Sequence, residues 1–227
     1  MNKLIASACL SAALCLPTLA QKPEGQSTSS LAAPPLDQEV SAFELKDGSI
    51  IDGLAELSRN PDLRLHLGIE EVLREKLATP RDRTVHFSLR LDHKSVREIL
   101  TALCESDPRY AWSVDGSTID VFPRARAADG TNLLNFRISE IHLIDAPDPD
   151  QALTPLSKEF PSEQIGYMHM GGDDSYSVPW NAVFQNCTVR QFMNRITERI
   201  GPVSSWIWQG GKDSRMFTFV SSGFYTR

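Results

Sequence analysis

One short pattern occurs twice in this sequence, and the repetition constrains the fold more than any other feature. Residues 95–103 read SVREILTAL, and residues 188–196 read TVRQFMNRI. Both stretches start with a hydroxyl residue, continue with Val-Arg, and carry Glu or Gln three places after the hydroxyl. Their apolar residues also fall at matching positions. A sequence pattern that occurs twice predicts two copies of one structural unit.

The repeated stretch predicts a capped helix in each copy. Ser95 with Glu98, and Thr188 with Gln191, have the spacing of capping boxes, in which paired side chains bond the first free N–H groups of a helix. Each cap is followed by apolar residues on one helical face. These residues are Val96, Ile99, Leu100 and Leu103 in the first copy, and Val189, Phe192, Met193 and Ile196 in the second.

An alternating strand precedes each of these helices, and a hairpin follows it. The apolar positions of the strand are Val85, Phe87, Leu89 and Leu91 in the first copy, and Val178, Trp180, Ala182 and Phe184 in the second. The first hairpin is predicted to turn at Asp115-Gly116. Trp206 and Trp208 occupy the places of Trp112 and Val114, which indicates core residues.

The front half of each copy predicts a strand followed by a helix. In the first copy the strand begins at Phe43, and Ser49 with Asp52 caps the helix. Residues 63–67 alternate as a strand, and residues 69–77 are expected to form a short helix or turn.

In the second copy, Phe136 and Ile138 are aligned with Phe43 and Leu45, and Leu153 and Leu156 with Leu54 and Leu57. This alignment leaves the second copy six residues longer before its first helix. Pro155 inside a helix would cost about 3 kcal/mol, so Thr154 is the expected cap. Asp148 and Asp150 are alternative caps.

These elements predict an α+β fold of two tandem small modules, each with helices packed on short mixed or antiparallel sheets. The expected organisation is a signal peptide at 1–20, a flexible tether at 21–42, a first module at 43–124, a linker at 125–132 and a second module at 133–222. The signal peptide predicts a periplasmic protein, with secretion as the alternative. No later segment is apolar enough to span a membrane.

The first copy opens with an aromatic residue, an aliphatic residue, a glycine, a second aliphatic residue and a small residue followed by leucine, which are Phe43, Leu45, Gly48, Ile50, Gly53 and Leu54. This order resembles the opening pattern of the secretin and TonB short N-terminal domain family. The resemblance extends more loosely over 136–220, so we expect two copies without a downstream secretin core or barrel domain. It implies a periplasmic module whose partner is an envelope protein of a secretion, transport or regulatory system.

No motif for catalysis or cofactor binding occurs, since G-x-S-x-G and phosphate-loop patterns are missing from the sequence. We therefore expect a non-enzymatic interaction or assembly module without a cofactor. The formal net charge of −6 argues against nucleic-acid binding. The alternative is a small-ligand or copper-binding protein using the Gly-rich loop 165–176, where Met168, His169 and Met170 are the metal candidates.

Two cysteines lie beyond the predicted signal peptide, Cys104 and Cys187. An exported compartment permits a disulfide between them, and the alternative, in which Cys104 is a small buried apolar residue, is at least as well supported. Of the histidines, His66, His86, His93 and His142 are expected to be exposed.

Overall fold

The structure is a computed structural model, and it describes residues 33–72, 84–146, 149–170, 180–201, 203–210 and 215–221. Over these residues the fold is α+β, as predicted. The elements in chain order are β1 (Glu39–Gly48), α1 (Ile50–Ser58), β2 (His66–Glu70), β3 (Phe87–Ser95), α2 (Val96–Ser106), β4 (Tyr110–Asp115), β5 (Thr118–Pro123), β6 (Arg137–Ala146), α3 (Pro149–Glu159), β7 (Gly166–Met170), β8 (Trp180–Thr188), α4 (Val189–Ile200), β9 (Ser204–Gly210) and β10 (Arg215–Ser221).

The second half of the chain repeats the first, element by element. In each half the order is strand, helix, strand, strand, helix and hairpin. β1 pairs with β3 and β6 with β8, both antiparallel, and each pair has an irregularity near the end of its first strand. Asp47 and Asp145, at equivalent places there, both have a φ of 46°. The predicted duplication therefore extends to backbone details.

The start of the second copy lies five residues later than the sequence alignment placed it. Ile141 and Leu143, not Phe136 and Ile138, occupy the places of Phe43 and Leu45 in the repeated burial pattern. Phe136 precedes β6, and its C=O accepts a 3.0 Å bond from the Val189 N–H. The sequence alignment was wrong because Phe136 with Ile138 and Ile141 with Leu143 have the same spacing of two apolar residues, so the pattern alone does not distinguish them. With the corrected alignment, the apparent six-residue insertion shrinks to one residue.

Helix α3 keeps a proline in its interior. It begins at Pro149 and contains Pro155, so the prediction that Thr154 caps this helix is wrong. Leu153 and Leu156 are both completely buried. Tertiary packing of this face outweighs the poor helix propensity of proline. Asp150 lies within α3 and is therefore not its cap, while Asp148 lies outside the described residues.

The structure differs in part from the predictions for three segments, which are the tether, the linker and residues 69–77. β1 begins at Glu39 and buries Val40, so this strand begins before the predicted end of the tether at residue 42. The predicted linker contains a 3₁₀ turn and the buried Asn132. β2 covers His66–Glu70, so the helix or turn predicted for 69–77 is wrong at 69–70, and residues 73–77 lie outside the described part. β2 lies between two other strands, and such strands show no clear alternation.

The helix caps agree with the sequence. Ser49, Ser95 and Thr188 each accept a bond from the backbone N–H three places on and are bonded in return, which completes three capping boxes. The hairpin between β4 and β5 turns at Gly116, whose φ of 63° favours glycine.

The two halves share one six-stranded sheet, with strand order β4-β5-β2-β9-β10-β7. β2 and β9 join the halves in parallel. Leu67 and Ile69 belong to the core of the first half, whereas Gly68 between them is paired with Trp206, a member of the second core. Because successive residues of a strand face opposite sides, the two cores lie on opposite faces of the shared sheet.

Within the described ranges, no helix combines the length and apolar character needed to cross a membrane.

Candidate functional site: a buried polar junction and two sheet edges

The metal candidates Met168, His169 and Met170 lie on a strand rather than in a loop. They are consecutive residues of β7, which pairs in parallel with β10 at one end of the six-stranded sheet. The predicted loop 165–176 therefore contains a strand, and its residues from 171 onward lie outside the described part. No group of three or more His, Cys, Asp or Glu side chains in the described part of the chain is placed to hold a metal ion.

Among the described strands, β7 lies at one edge of the six-stranded sheet, and it carries exposed apolar side chains. Tyr167 is 41% exposed and Met168 is 42% exposed. Tyr167 pairs with Phe217, which is completely buried, so the apolar surface of β7 continues directly from the second core. An open edge offers unpaired backbone N–H and C=O groups to another strand. β7 therefore combines hydrogen-bonding capacity with apolar contact area.

β4 forms the opposite edge of the same sheet. It pairs with β5 only, among the described strands. Val114 is 41% exposed, and the half-buried Trp112 lies beneath the guanidinium of Arg97, 6.0 Å from the ring centre. This edge also presents apolar side chains next to free backbone groups.

The junction between the halves contains a buried carboxylate held by two arginines. The Glu70 side chain is 0% exposed, and its oxygens lie 2.6 Å from Nη2 of Arg190 and 3.2 Å from Nε of Arg126. Asn132 donates a further 2.9 Å bond to Glu70. Glu70 belongs to β2, Arg190 to α4, and the other two to the connection between the halves. A buried carboxylate needs such partners, because desolvation without them is costly.

A second buried carboxylate lies beside the first. Asp120 of β5 accepts a 3.0 Å bond from Nδ2 of Asn194, whose Oδ1 accepts a 2.8 Å bond from Trp206 Nε1. Burial raises the pKa of Asp120 to about 7, although the nearby Arg190 opposes the shift. The cluster thus ties β5 and β2 of the first half to α4 and β9 of the second.

The composition of this cluster would suit acid–base chemistry, but its burial does not. Glu70, Asp120 and Asn194 are each at most 1% exposed. A perturbed pKa marks a functional site when the group lies in an accessible cleft. Here the perturbed group is covered by α4, so we assign the cluster to holding the halves together. No pattern in the sequence indicates this cluster, because its members are scattered over residues 70–194.

Three of the four histidines that were predicted to be exposed are exposed in the structure. His86, His93 and His142 are exposed, as predicted. His66 is half-buried, contrary to the prediction, because β9 of the second half lies beside it. Its Nδ1 lies 3.1 Å from Ser204 Oγ, and burial lowers its pKa.

The two cysteines are free and buried, each in a different core. Burial raises the pKa of Cys104 to about 11 and also raises that of Cys187. High thiol pKa values make both poor nucleophiles.

The halves differ on the outer face of their two-stranded ribbons. Ile144, which is 76% exposed, and Val183, which is 49% exposed, lie on β6 and β8 of the second half. The equivalent positions in the first half hold Lys46 and Arg90. The second ribbon has therefore exchanged two surface charges for apolar side chains.

No protein-family model matches the chain, and comparisons with curated proteins and with solved structures give no significant match.

Proposed function

We propose that this chain is a non-enzymatic interaction or assembly module of the cell envelope, and that it binds another protein by adding a strand to its β7 edge. The main support for the proposal is the β7 edge, where Tyr167 and Met168 are exposed and β10 is the one described strand that pairs with β7. Strand addition draws affinity from main-chain hydrogen bonds and specificity from alternate side chains. It needs no special catalytic or charged residues.

The burial of the polar cluster supports a non-enzymatic role. The carboxylate with the raised pKa, Asp120, is bonded to Asn194 at the junction of the halves and is 1% exposed. Its charge partners are used to join the two halves. A substrate would have to separate α4 from the sheet to reach it.

The envelope location and the family belong to the same proposal. The N-terminal stretch 1–20 has the layout of a signal peptide, and the pattern from Phe43 to Leu54 resembles the secretin and TonB short N-terminal domain family. The order of elements in each half is in keeping with a small α+β module of that kind. Export is tested by fractionating the native host, where we expect a mature chain beginning at Gln21 in the periplasm.

The binding edge is tested by photo-cross-linking in intact cells. A photoreactive phenylalanine analogue replaces Tyr167 in one strain and Ile144, which is more exposed but lies on the β6–β8 ribbon, in a control strain. We expect a discrete cross-linked protein from position 167 and none of the same mass from position 144. Met168→Lys in the same background should abolish the product, since a charge on an edge strand opposes pairing.

Two outcomes would overturn this proposal. Products from position 144 alone would move the binding surface to the ribbon. No product at position 167, together with copper or a small molecule co-purifying with the chain, would replace it by the ligand-binding alternative at residues 165–176. Metal analysis of the same purified protein provides that second readout.

A further inference from the structure

We propose that the strand received by the β7 edge is β4 of a second copy of this chain, so that molecules join head to tail. This inference rests on the proposed function, because it names the partner for the same edge. Its basis is the internal junction, which already shows how one half of this chain binds the other.

The internal junction joins two different edges of the repeated unit. In the first half the strands run in the order β4-β5-β2, and in the second half the equivalent strands follow in the same order, β9-β10-β7. The edge strand β2 therefore binds β9, which is the equivalent of β4. The two edges that no other described strand covers, β7 and β4, are the equivalents of the two that are joined.

The symmetry operation that relates the two halves includes a translation, so repeating it does not lead back to the starting position. The parallel pairing of β2 with β9 reverses the strand directions of the second half, and the cores lie on opposite faces. The relation is thus a half-turn about an axis across the strands, plus a shift of three strands. Repeating a heterologous contact of this kind builds an open assembly. One further step places β4 of another molecule beside β7, in parallel.

The register of the internal β2–β9 pairing also predicts the register between β7 and β4 of a second copy. In the internal junction Gly68 pairs with Trp206, and Glu70 pairs with Trp208. Leu67 pairs with Ile119 as Tyr167 pairs with Phe217, which makes Met168 and Met170 the equivalents of Gly68 and Glu70. Trp206 and Trp208 correspond in turn to Trp112 and Val114 in the hairpin pairing.

The register brings the apolar residues of the two open edges together. Met168 comes opposite Trp112 of the second copy, and Met170 comes opposite Val114. Met168 and Val114 are 42% and 41% exposed in the single chain, so both gain burial on association. Methionine adapts its shape to an aromatic neighbour and makes favourable sulfur–ring contacts.

The new contact is weaker than the internal one, because the polar cluster is not repeated in it. The places of Glu70 and Asp120 are taken by Met170 and Thr218, which cannot bind an arginine as a carboxylate does. Methionine at the place of Gly68 also keeps the tryptophan ring farther from the backbone. We therefore expect reversible association that depends on concentration and has little dependence on salt above about 0.15 M.

Sedimentation velocity of the purified full chain tests this inference with one variant for each edge. Met168→Lys blocks β7, and Val114→Lys blocks β4. Ile144→Lys changes an exposed apolar residue away from both edges and is the matched control. We expect the wild type and the control to sediment faster as concentration rises, and each edge variant to remain a monomer. Tyr167→Lys replaces Met168→Lys if thermal unfolding shows that the latter is not folded.

Mixing the two edge variants is the decisive measurement. Each retains the edge that the other lacks, so an equimolar mixture should form a dimer and nothing larger. Dimers of Val114→Lys alone would indicate β7 pairing with β7 and overturn the head-to-tail arrangement. A wild type that stays monomeric at all concentrations, or a control that loses association, would also overturn it.

Failure of this inference can be told apart from failure of the proposed function. If the chain is monomeric but position 167 still cross-links to a different protein in cells, strand addition stands and its partner is not a second copy. If position 167 cross-links nothing in cells and the chain is monomeric, both are wrong.

Discussion

Removing the arginine at the buried junction should cost far more stability than removing its counterpart in the first half. Arg190 and Arg97 are at equivalent places in the repeated helices, and each lies about 6 Å from a tryptophan ring, 5.9 Å from that of Trp206 and 6.0 Å from that of Trp112. Their ion pairs differ in burial. The duplication therefore supplies its own control for the substitution Arg190→Met.

The expected losses of stability follow from the solvent exposure of the two ion pairs. The Arg190 side chain is 14% exposed and binds Glu70, which is 0% exposed. Breaking a buried pair from one side costs about 3–5 kcal/mol, and the lower end applies because Arg126 remains beside Glu70. The Arg97 side chain is 51% exposed and its partner Asp37 is 87% exposed, so Arg97→Met should cost less than about 1 kcal/mol.

Urea denaturation followed by circular dichroism measures the difference. With a slope of about 2 kcal/mol per M, Arg190→Met should lower the midpoint by about 1.5 M and Arg97→Met by less than about 0.5 M. A Glu70→Gln change should reduce the cost of Arg190→Met, because the two residues are coupled. Equal shifts for the two arginine variants would refute the assignment of the buried cluster to stabilising the junction.

Three further predictions concern pH, packing and capping. Folding raises the pKa of Asp120 from 3.8 to about 7, so the folded protein binds a proton at this carboxylate more tightly than the unfolded chain does. The contribution of Asp120 to stability therefore falls as pH rises from about 4 to 7. The whole change in the free energy of unfolding amounts to about 4 kcal/mol at most, so the Tm of Asp120→Asn should fall less than that of the wild type over this pH range, and an equal fall would contradict the assignment. A Cβ at Gly68 would lie 2.6 Å from Trp206 Cζ2, so Gly68→Ala should lower the free energy of unfolding by about 1–3 kcal/mol, whereas Gly130→Ala, with no atom within 4 Å, should not. Ser95→Ala should cost about 1 kcal/mol in urea denaturation, and a smaller loss in Ser95→Gly would agree with the capping role.

The local features of this fold could be predicted from the sequence because they depend on neighbouring residues. A capping box needs only two side chains three places apart, and all three predicted boxes are formed. The buried stripe of α2 likewise follows from helical spacing, with Val96, Ile99, Leu100 and Leu103 each at most 1% exposed. The core positions of Trp206 and Trp208 followed from their match with the first hairpin.

The errors arose where tertiary contacts outweighed local preference. Pro155 remains in a helix because its neighbours Leu153 and Leu156 are buried. His66 was expected to be exposed, but the second half covers it through Ser204. The sequence predicts a loop at Met168–Met170, where the structure has a strand, because an edge strand with adjacent glycines has little alternation to mark it.

The duplication of one unit can be recognised from the amino-acid sequence alone, because it leaves matching caps and apolar spacings. How the two units pack against each other depends on tertiary contacts between residues far apart in the chain. The pairing of β2 with β9 joins residues 138 positions apart, such as His66 and Ser204, and no local pattern encodes such a contact. Glu70 and Asp120 are buried where the two units meet, and among the described strands β4 and β7 remain at the edges of the sheet, on which the proposed function rests.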